Sequence, residues 1–309
     1  MKKIGFVSNY GIGYEAPHHG ENRYARRLYD VLTSMSDIQF IPPLSAGSWD
    51  ILILQPYRIS YSEPLVEIEK WATASAKQIW FIGWGRTYSD LVFDVGIMSH
   101  GRALRRLIVN GYIKNGVLWY PPLYPIDATK DDYVVYSPGF YDIENMHVLE
   151  LANKIKNDFG LTLKVNRMDW YINKDYNVPL ATHRLVGEIC GSSIPNLQIY
   201  GEFSYTWFQE WIASAKVVIA LHRGPSMVPM EAWVHGTPTI TYCNQEEYLE
   251  PDYGFQVNRW KYGYDRLNAE IYAQIEKVMN GDNNQETIDR MRKLSNPEAQ
   301  INKIKILLE

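Results

Sequence analysis

The stretch from Leu221 to Pro238 has the residue types and spacing of an anion-binding corner. It begins where a continuous apolar run ends, and a helix is predicted over Met227 to Val234. Gly224 and Ser226, in the loop between them, allow a ligand to approach the backbone closely. The first amides of a helix have no partner within it, and the helix dipole favours negative charge there. The pattern therefore predicts phosphate binding in front of this helix.

Side chains of the same stretch add charge and an acceptor. His222 and Arg223 are the basic candidates, and a guanidinium matches a phosphate through two parallel donors. Met227 and Val228 provide the first helical amides, and Glu231 follows one turn into the helix. Its carboxylate can accept hydrogen bonds from sugar hydroxyls. An ordinary strand, loop and helix of a doubly wound sheet is the alternative interpretation.

This corner resembles the nucleotide-sugar corner of GT-B glycosyltransferases, above all glycosyltransferase family 4. The family motif runs Glu-Gly-Phe-Gly-Leu-x-Pro-x-Glu-Ala and continues, after a helix, with Gly-x-Pro. The similarity covers Gly224, the run from Val228 to Ala232, and Gly236 to Pro238. In the family the second Glu binds the ribose, and that role falls on Glu231. The first Glu, which binds the donor hexose, is replaced here by Arg223.

A second family feature is absent from this sequence. The family carries an Arg and a Lys in a loop that reads Gly-Arg-x-x-x-x-Lys, after the first strand of the second domain. The corresponding loop here, Gly139 to Asn145, has neither. Arg223 is then the substitute expected to stabilise the leaving phosphate, because a guanidinium binds phosphate at two points, and His222 and Arg167 are further candidates. A corner that no longer binds a donor is the alternative.

Two further candidates lie in the first half of the chain. Open parallel sheets bind ligands beyond the carboxyl ends of their strands, and the loop from Asn9 to Tyr14 follows the first predicted strand. Gly11 and Gly13 are therefore expected to bring the backbone close to the donor. His100 follows a later strand and is a candidate for catalytic contact with the donor or the acceptor, with a structural role as its alternative.

The order of predicted elements indicates how these residues are positioned. Alternating strands and helices imply parallel sheets with helical crossovers, in two successive sets. Strands are predicted at 4–7, 51–54, 79–82, 93–98, 133–136, 161–165, 197–200, 217–221 and 239–242, and helices at 21–33, 65–74, 102–109, 147–159, 205–213, 227–234 and 296–309. Residues 93–98 are expected to form the last major strand of the first set.

Three prolines between Trp119 and Asp127 predict a linker between the two sets. The expected domains are 1–125 on the acceptor side and 126–290 on the nucleotide-sugar side. The resemblance implies an α/β fold of GT-B architecture, in which two Rossmann-like, doubly wound parallel-sheet domains face a cleft. It also implies that the last segment, 291–309, crosses back to the first domain, with a terminal helix on the second domain as the alternative.

Composition narrows the class of protein. A chain of 309 residues with 46% hydrophobic residues is large enough for two cores, and its net charge of −4 argues against a dedicated nucleic-acid-binding protein. No apolar run approaches the length of a membrane span or of a signal peptide, so a cytoplasmic protein is expected, at most peripheral to a membrane. Cys190 and Cys243, with no metal-ligand spacing, are expected to be reduced thiols. Arg102, Arg105 and Arg106 give one helix a basic face.

The activity implied by the resemblance is transfer of a hexose from a UDP- or GDP-sugar to an acceptor hydroxyl, with retention and without a metal or a cofactor. The acceptor stays open among a glycan, a lipid, a small molecule and a hydroxymethylated base of viral DNA. A non-catalytic GT-B-like protein that binds nucleotide sugars is the alternative outside catalysis. A sugar-nucleotide epimerase on the same fold is less favoured, because the cleft loops carry no paired carboxylates.

Overall fold

The structure is a computed structural model. It describes residues 2–8, 20–35, 37–40, 48–55, 76–83, 91–137, 148–166, 197–200, 205–221, 227–242, 255–257 and 264–309. These residues fall into two compact units. One unit contains the described residues up to Leu123 together with those from Leu294 to Glu309, and the other contains those from Tyr124 to Lys293.

The first unit is built on a parallel sheet of six strands. Its strands are β1 (Lys3–Ser8), β2 (Asp37–Phe40), β3 (Trp49–Gln55), β4 (Ala76–Ile82), β5 (Phe93–Met98) and β6 (Ile113–Leu118), and its first helices are α1 (Gly20–Thr33) and α2 (Gly101–Val109). The strand order is β2-β1-β3-β4-β5-β6. The central strands are buried apolar runs, as sheets covered on both faces require.

The second unit repeats this plan. Its elements are β7 (Tyr133–Tyr136), α3 (Val148–Phe159), β8 (Thr162–Asn166), β9 (Leu197–Tyr200), α4 (Tyr205–Ser214), β10 (Val217–Ile219), α5 (Met227–Val234), β11 (Thr239–Tyr242), β12 (Phe255–Val257), α6 (Tyr264–Met279) and α7 (Gln285–Leu294). The strand order is β12-β11-β10-β7-β8-β9. Counted from β7, this is the 3-2-1-4-5-6 order of a doubly wound sheet.

Two glycines allow α2 to lie close to the first sheet. A Cβ at Gly116 would stand 2.7 Å from the side chain of Leu104 on α2, and a Cβ at Gly96 would stand 3.3 Å from it. The inner face of α2 buries Leu104 and Leu107 against the strands, in one cluster with Phe93. The apolar side of this helix therefore faces the sheet, and its basic side is exposed, as its amphipathic sequence predicts.

The last helix, α8 (Pro297–Leu308), belongs to the first unit. Its Gln300 is buried: the backbone carbonyl accepts a hydrogen bond from Trp119 Nε1 at 3.1 Å, and the side-chain Oε1 accepts one from the amide of Tyr120 at 3.1 Å. Trp119 also packs edge-on against Tyr24, whose hydroxyl donates to the Trp119 carbonyl at 3.0 Å. Burial raises the pKa of Tyr24 well above its ordinary value, so this hydroxyl remains a donor.

Most predicted elements are confirmed within one or two residues, including α1, α2, α3 and α5. Gly160 closes α3 at φ +73°, the left-handed C-terminal cap expected of it. The expectation that 93–98 is the last strand of its sheet was wrong, because β6 follows it. The predicted helix at 65–74 lies outside the described residues.

Candidate functional site

The second sheet reverses its strand order between β7 and β10. The amide of Ser137, directly after β7, donates to the carbonyl of Ile219 at the end of β10, at 2.8 Å. On either side of this pair, successive strands are added in opposite directions. Connections that leave to opposite sides open a crevice at the carboxyl edge, where doubly wound sheets bind nucleotides. The chain leaves β10 here, through Ala220 and Leu221, and enters residues 222–226.

Helix α5 follows residues 222–226 and is buried over its entire length. It packs with α4 against the sheet, in a core that contains Val218, Ile212 and Ala232. An all-round apolar helix can be stable only in such a place, between other elements. The amino end of α5 therefore follows the end of β10, at the switch point, after seven residues.

The carboxyl end of α5 is fixed by one left-handed residue and two hydrogen bonds. Gly236 adopts φ +73°, and the amide of Thr237 donates to the Ala232 carbonyl at 2.8 Å, which ends the helix. Arg292 Nε donates to the Val234 carbonyl at 3.0 Å. A positive guanidinium at a helix carboxyl end complements the helix dipole. They fix the point at which α5 ends and tie that end to Arg292.

The side chain of His235 holds the chain that enters the second unit. Its Nδ1 accepts a hydrogen bond from the amide of Ile126 at 3.2 Å, and its Nε2 lies 2.6 Å from Gln209 Oε1. Because Nδ1 accepts, the proton is on Nε2 and the imidazole is neutral. No sequence pattern indicated this histidine, since its partners lie 26 and 109 residues away.

Glu231 is the predicted ribose ligand, and it is fully buried on α5. It is the fifth residue of the helix, whereas a capping carboxylate occupies the third, so its position does not suit a capping role. Burying a carboxylate costs free energy unless polar groups bind it. Met227 and Val228, the other predicted ligands in α5, are its first two residues and are also buried.

Two buried hydroxyls flank the end of β10. Ser137 follows β7 and Thr241 lies in β11, and these are the neighbours of β10 in the sheet. Both side chains are at most 2% exposed, and neither hydroxyl finds a hydrogen-bond partner among the described residues. A buried hydroxyl without a partner is costly and uncommon, and such groups mark positions where a ligand supplies the bond. Sequence reasoning did not select either residue.

The first sheet has its own switch point, between β1 and β3. Ser8 and Gln55 are paired at the carboxyl ends of these strands. The predicted loop from Asn9 to Tyr14 leaves β1 at this point, although Gly11 and Gly13 lie outside the described residues. The rule that placed a ligand after the first strand therefore applies to this sheet as well.

His100 also lies at the carboxyl edge of the first sheet, but it follows β5 rather than β1 or β3. It directly precedes α2 and is 2% exposed, and its carbonyl accepts the amide of Leu104 at 2.9 Å. Its strand, β5, is separated from β3 by β4. Two strand spacings amount to roughly 10 Å, so His100 is not adjacent to the switch point of its own sheet.

The remaining predicted site residues lie outside the described part of the chain. They are Arg167, His222, Arg223, Gly224 and Ser226. Among the described predicted residues, the structure brings Met227, Val228 and Glu231 together on one helix. It places His100 in the other unit. The loop at 139–145 and both cysteines also fall outside the description.

A cavity of about 550 Å³ opens at the opposite, amino edge of the first sheet. Its lining includes Asp50. The carboxylate of Asp50 accepts one hydrogen bond from Lys77 Nζ at 2.6 Å and one from the amide of Lys3 at 2.8 Å. These hydrogen bonds, that of Lys77 above all, lower the pKa of Asp50. Ligands of open parallel sheets bind at the carboxyl edge, so this cavity is not the candidate site.

Within the described ranges, no set of three His, Cys, Asp or Glu side chains is grouped so that it can hold a metal ion. The carboxylate of Asp132 lies 3.8 Å from Lys216 Nζ. In the same part of the chain, every helix is too short or too polar to cross a bilayer.

Comparison with solved structures identifies the fold. Over its full length the chain is similar to an α-glucosyltransferase in complex with UDP and a 13-mer DNA containing a HMU base, with a TM-score of 0.63, 9% identity and 100% of both chains covered. It is similar to S. aureus MnaA in a co-structure with UDP, with a TM-score of 0.61, 13% identity, and 100% of this chain and 97% of the other covered. Sucrose-phosphate synthase from Thermosynechococcus elongatus gives a TM-score of 0.61 at 12% identity, with 100% and 98% covered.

The chain therefore has the GT-B architecture of two doubly wound α/β units. No family model matches the sequence. No curated protein matches it either. Membership of family 4 stays a prediction, because identities of 9–13% establish the fold alone.

Proposed function

We propose that this protein is a glycosyltransferase that moves a hexose from a UDP- or GDP-sugar to an acceptor hydroxyl. One observation carries the proposal: α5, with Glu231 buried on it, is separated by seven residues from β10, the strand that meets β7 at the switch point. This arrangement offers backbone donors to a diphosphate and a carboxylate to a ribose. The fold is shared with structures solved with UDP, which supports a nucleotide donor.

The reaction needs one bond broken and one formed. The bond between the anomeric carbon and the phosphate oxygen breaks, and its electron pair stays on the leaving nucleoside diphosphate. The acceptor oxygen forms the new bond to the anomeric carbon, and its proton passes to an oxygen of the leaving diphosphate. Negative charge grows on the leaving phosphate, so donors fixed in advance at that place lower the barrier. We assign this role to the first amides of α5 and to Arg223.

We assign the remaining groups from the resemblance to family 4 and from their places in the sequence. Glu231 binds the ribose hydroxyls, and Met227, Val228, Gly224 and Ser226 hold the diphosphate through the backbone. His222 and Arg167 add positive charge, and Gly11 and Gly13 approach the donor from the loop after β1. His100 acts on the acceptor side. Retention of configuration and independence from metals belong to the same proposal, as inferred from the resemblance to family 4.

A DNA base is the second candidate acceptor. One structure of the same fold is an α-glucosyltransferase bound to DNA that contains a HMU base, and it is similar to this chain over the full length of both. The exposed arginines of α2 provide positive charge in the first unit. The net charge of the whole chain is −4, which opposes binding of nucleic acid. The alternative to an enzyme is a protein that binds nucleotide sugars and does not transfer the sugar.

The test separates binding from turnover. Calorimetric titration with UDP, GDP and their sugars measures whether a nucleotide binds, and release of free nucleotide from each sugar donor measures turnover. Duplex DNA with and without hydroxymethylated pyrimidines is then added as acceptor. Sugar transferred only to the modified duplex selects the DNA candidate. Binding without release of nucleotide supports the non-catalytic alternative, and no binding at millimolar nucleotide contradicts the proposal.

Matched variants assign the result to this site. Glu231→Gln keeps the size of the side chain and removes its charge, and Glu210→Gln makes the same change at an exposed position on α4. If the corner is the donor site, only the first variant weakens nucleotide binding. Equal affinities in both variants would place the nucleotide elsewhere.

A further inference from the structure

Lys130 is a partly buried amine of the second unit, and the proposed glycosyl transfer gives it no role. Its Nζ donates to the carbonyl of Ala213, near the carboxyl end of α4, at 2.6 Å, and to Oγ1 of Thr237, just after α5. The Thr237 hydroxyl donates onward to the Ile212 carbonyl at 2.9 Å, so it acts as an acceptor for the amine. Lys130 is therefore held at a fixed place between the ends of two helices.

The two acceptors around Lys130 match the needs of a neutral amine. An ammonium carries three N–H donors, whereas a neutral amine carries two donors and a lone pair. Among the described residues, Nζ meets these two acceptors, so a neutral Lys130 makes both hydrogen bonds and keeps its lone pair. Because the residue is not completely buried, a small molecule can reach the amine from solvent.

Two cations border this amine. The guanidinium of Arg292 lies at the turn that leads to Thr237, since its Nε donates to the Val234 carbonyl at 3.0 Å. Lys216 stands between α4 and β10. Burial, followed by repulsion from Lys216 and Arg292, lowers the pKa of Lys130 to about 8. About half of the molecules then carry a neutral amine at pH 8, and the neutral amine is the nucleophilic form.

Little negative charge opposes these cations. Among the described residues, Arg292 donates through Nε to a carbonyl and has no carboxylate partner. Lys216 Nζ lies 3.8 Å from the carboxylate of Asp132, which is 82% exposed, so water screens this pair. The charge of Asp131 acts on Lys164 of β8 instead. The positive charge at this place is therefore not neutralised.

Carbon dioxide fits this position. It is small enough to reach a partly buried amine, and its adduct is a carbamate, an anion at the place where two cations repel the ammonium. An acyl group would instead give a neutral amide, which gains nothing from Arg292 and Lys216. We propose that Lys130 adds carbon dioxide reversibly and that Arg292 and Lys216 stabilise the carbamate.

The addition forms one bond and releases one proton. The lone pair of neutral Nζ forms a bond to the carbon of carbon dioxide, and one carbon–oxygen π pair moves onto oxygen. A proton of Nζ then passes to water or bicarbonate, which leaves a carbamate with one N–H. That N–H can still donate to the Ala213 carbonyl, while Oγ1 of Thr237 still donates to Ile212. The exchange therefore leaves none of these groups without a hydrogen bond.

The experiment traps the adduct on the full chain. The protein is equilibrated with isotopically labelled bicarbonate, treated with triethyloxonium ion to convert carbamates into stable ethyl carbamates, and digested for mass spectrometry. We expect the label on the peptide that contains Lys130. At constant dissolved carbon dioxide, its yield should rise from about pH 7 to about pH 9, as the amine loses its proton. Return to bicarbonate-free buffer before trapping should remove it.

Three comparisons isolate Lys130 from ordinary amines. Lys277, exposed on α6, should be labelled at least tenfold less, because a solvated lysine is almost entirely protonated at pH 8. Lys216→Gln should lower the yield on Lys130 about two- to fivefold, the effect of one partly exposed charge, whereas Lys277→Gln should leave it unchanged. Thermal unfolding verifies that both variants fold. The α-amine of the chain, with an ordinary pKa of about 8, is the positive control.

Three results would overturn the proposal. The first is the absence of label on Lys130 in a sample whose amino-terminal peptide is labelled. The second is equal labelling of Lys130 and Lys277. The third is an equal yield on Lys130 in the wild type and in Lys216→Gln, which would contradict stabilisation of the carbamate by the neighbouring cations. None of these measurements depends on nucleotide binding or on glycosyl transfer.

Discussion

The amide of Ser137 donates to the carbonyl of Ile219 across 2.8 Å, and this bond joins the first and fourth strands of the second unit at their carboxyl ends. β7 is followed in sequence by residues 138–147, and β10 is followed by the segment that precedes α5. The candidate donor site is therefore located by this pair of backbone groups. Ser137, at this pair, and Glu231, buried on α5, give the clearest tests.

Ser137→Ala should weaken nucleotide binding without loss of stability. The hydroxyl is buried and has no hydrogen-bond partner in the described structure, so its removal leaves no protein group unpaired. If the nucleotide supplies the bond, affinity should fall by about 0.5 to 1.5 kcal/mol. Calorimetry and thermal unfolding measure the two effects. Ser295→Ala is the matched control, since Ser295 Oγ is equally buried and without a described partner, in the other unit.

Glu231→Ala should weaken nucleotide affinity by roughly 1.5 to 3 kcal/mol, because it removes a charged acceptor of ribose hydrogen bonds. The side chain is fully buried, so truncation also removes packing, and the unfolding midpoint is measured with the affinity. The deoxyribose form of the nucleotide provides a second comparison. A purely structural role predicts lower stability with unchanged affinity.

Arg223→Ala should lower turnover about a hundredfold or more and donor affinity much less, because charge grows on the leaving phosphate only in the transition state. Arg223→Lys should recover part of the rate, since an ammonium cannot make the two-point contact of a guanidinium. Initial rates and calorimetry measure the two quantities, with Lys277→Ala as a distant control. If Arg223 contacts the hexose or the acceptor instead, sugar or acceptor preference changes while donor hydrolysis does not.

Gln300→Leu should destabilise the first unit. The Gln300 side chain accepts from the Tyr120 amide at 3.1 Å and donates to the Leu294 carbonyl at 2.6 Å. An apolar replacement leaves the buried amide of Tyr120 without this partner, at a cost of about 1 to 3 kcal/mol, and the partly buried carbonyl of Leu294 without its own, at a smaller cost. Denaturant unfolding measures the loss. Gln285→Leu, at an exposed position on α7, should change stability by less than about 0.5 kcal/mol.

Lys130 should make stability rise with pH above about 8. Burial, followed by repulsion from Lys216 and Arg292, lowers the pKa of Lys130 to about 8, and Nζ donates to Ala213 O at 2.6 Å and to Thr237 Oγ1. Between this pKa and the unfolded value of about 10.4, the unfolded chain holds a proton that the folded chain has lost. Stability rises with pH wherever the unfolded state binds more protons.

The measurement for Lys130 compares unfolding free energies of the wild type and Lys130→Met from below pH 8 to about pH 10. As pH rises, the unfolding free energy of the wild type should increase relative to that of the variant, by less than about 1.4 kcal/mol per pH unit. Lys277→Met, which replaces an exposed lysine, provides the baseline. A difference between wild type and Lys130→Met that is constant over this range would contradict the lowered pKa.

The sequence by itself determined the elements whose pattern is local. Buried central strands such as β3 and β10 must be apolar on both faces, and α5 is bounded by a loop and by Gly236, so each is visible in a short window. Strands β2, β6 and β12 were not anticipated, and all three lie at sheet edges. An edge strand has one neighbour and can carry exposed polar residues, as β6 does with Lys114 and Asn115.

Only the tertiary structure decided which residues become neighbours over long separations. Strand order brings Ser137 to Ile219 and places His100 two strands from the β1–β3 switch point, and neither follows from the residue types. Gln300 reaches Trp119 across 181 residues, and His235 reaches Ile126 across 109. These contacts depend on backbone groups, which every residue carries, so no side-chain pattern in the sequence specifies them.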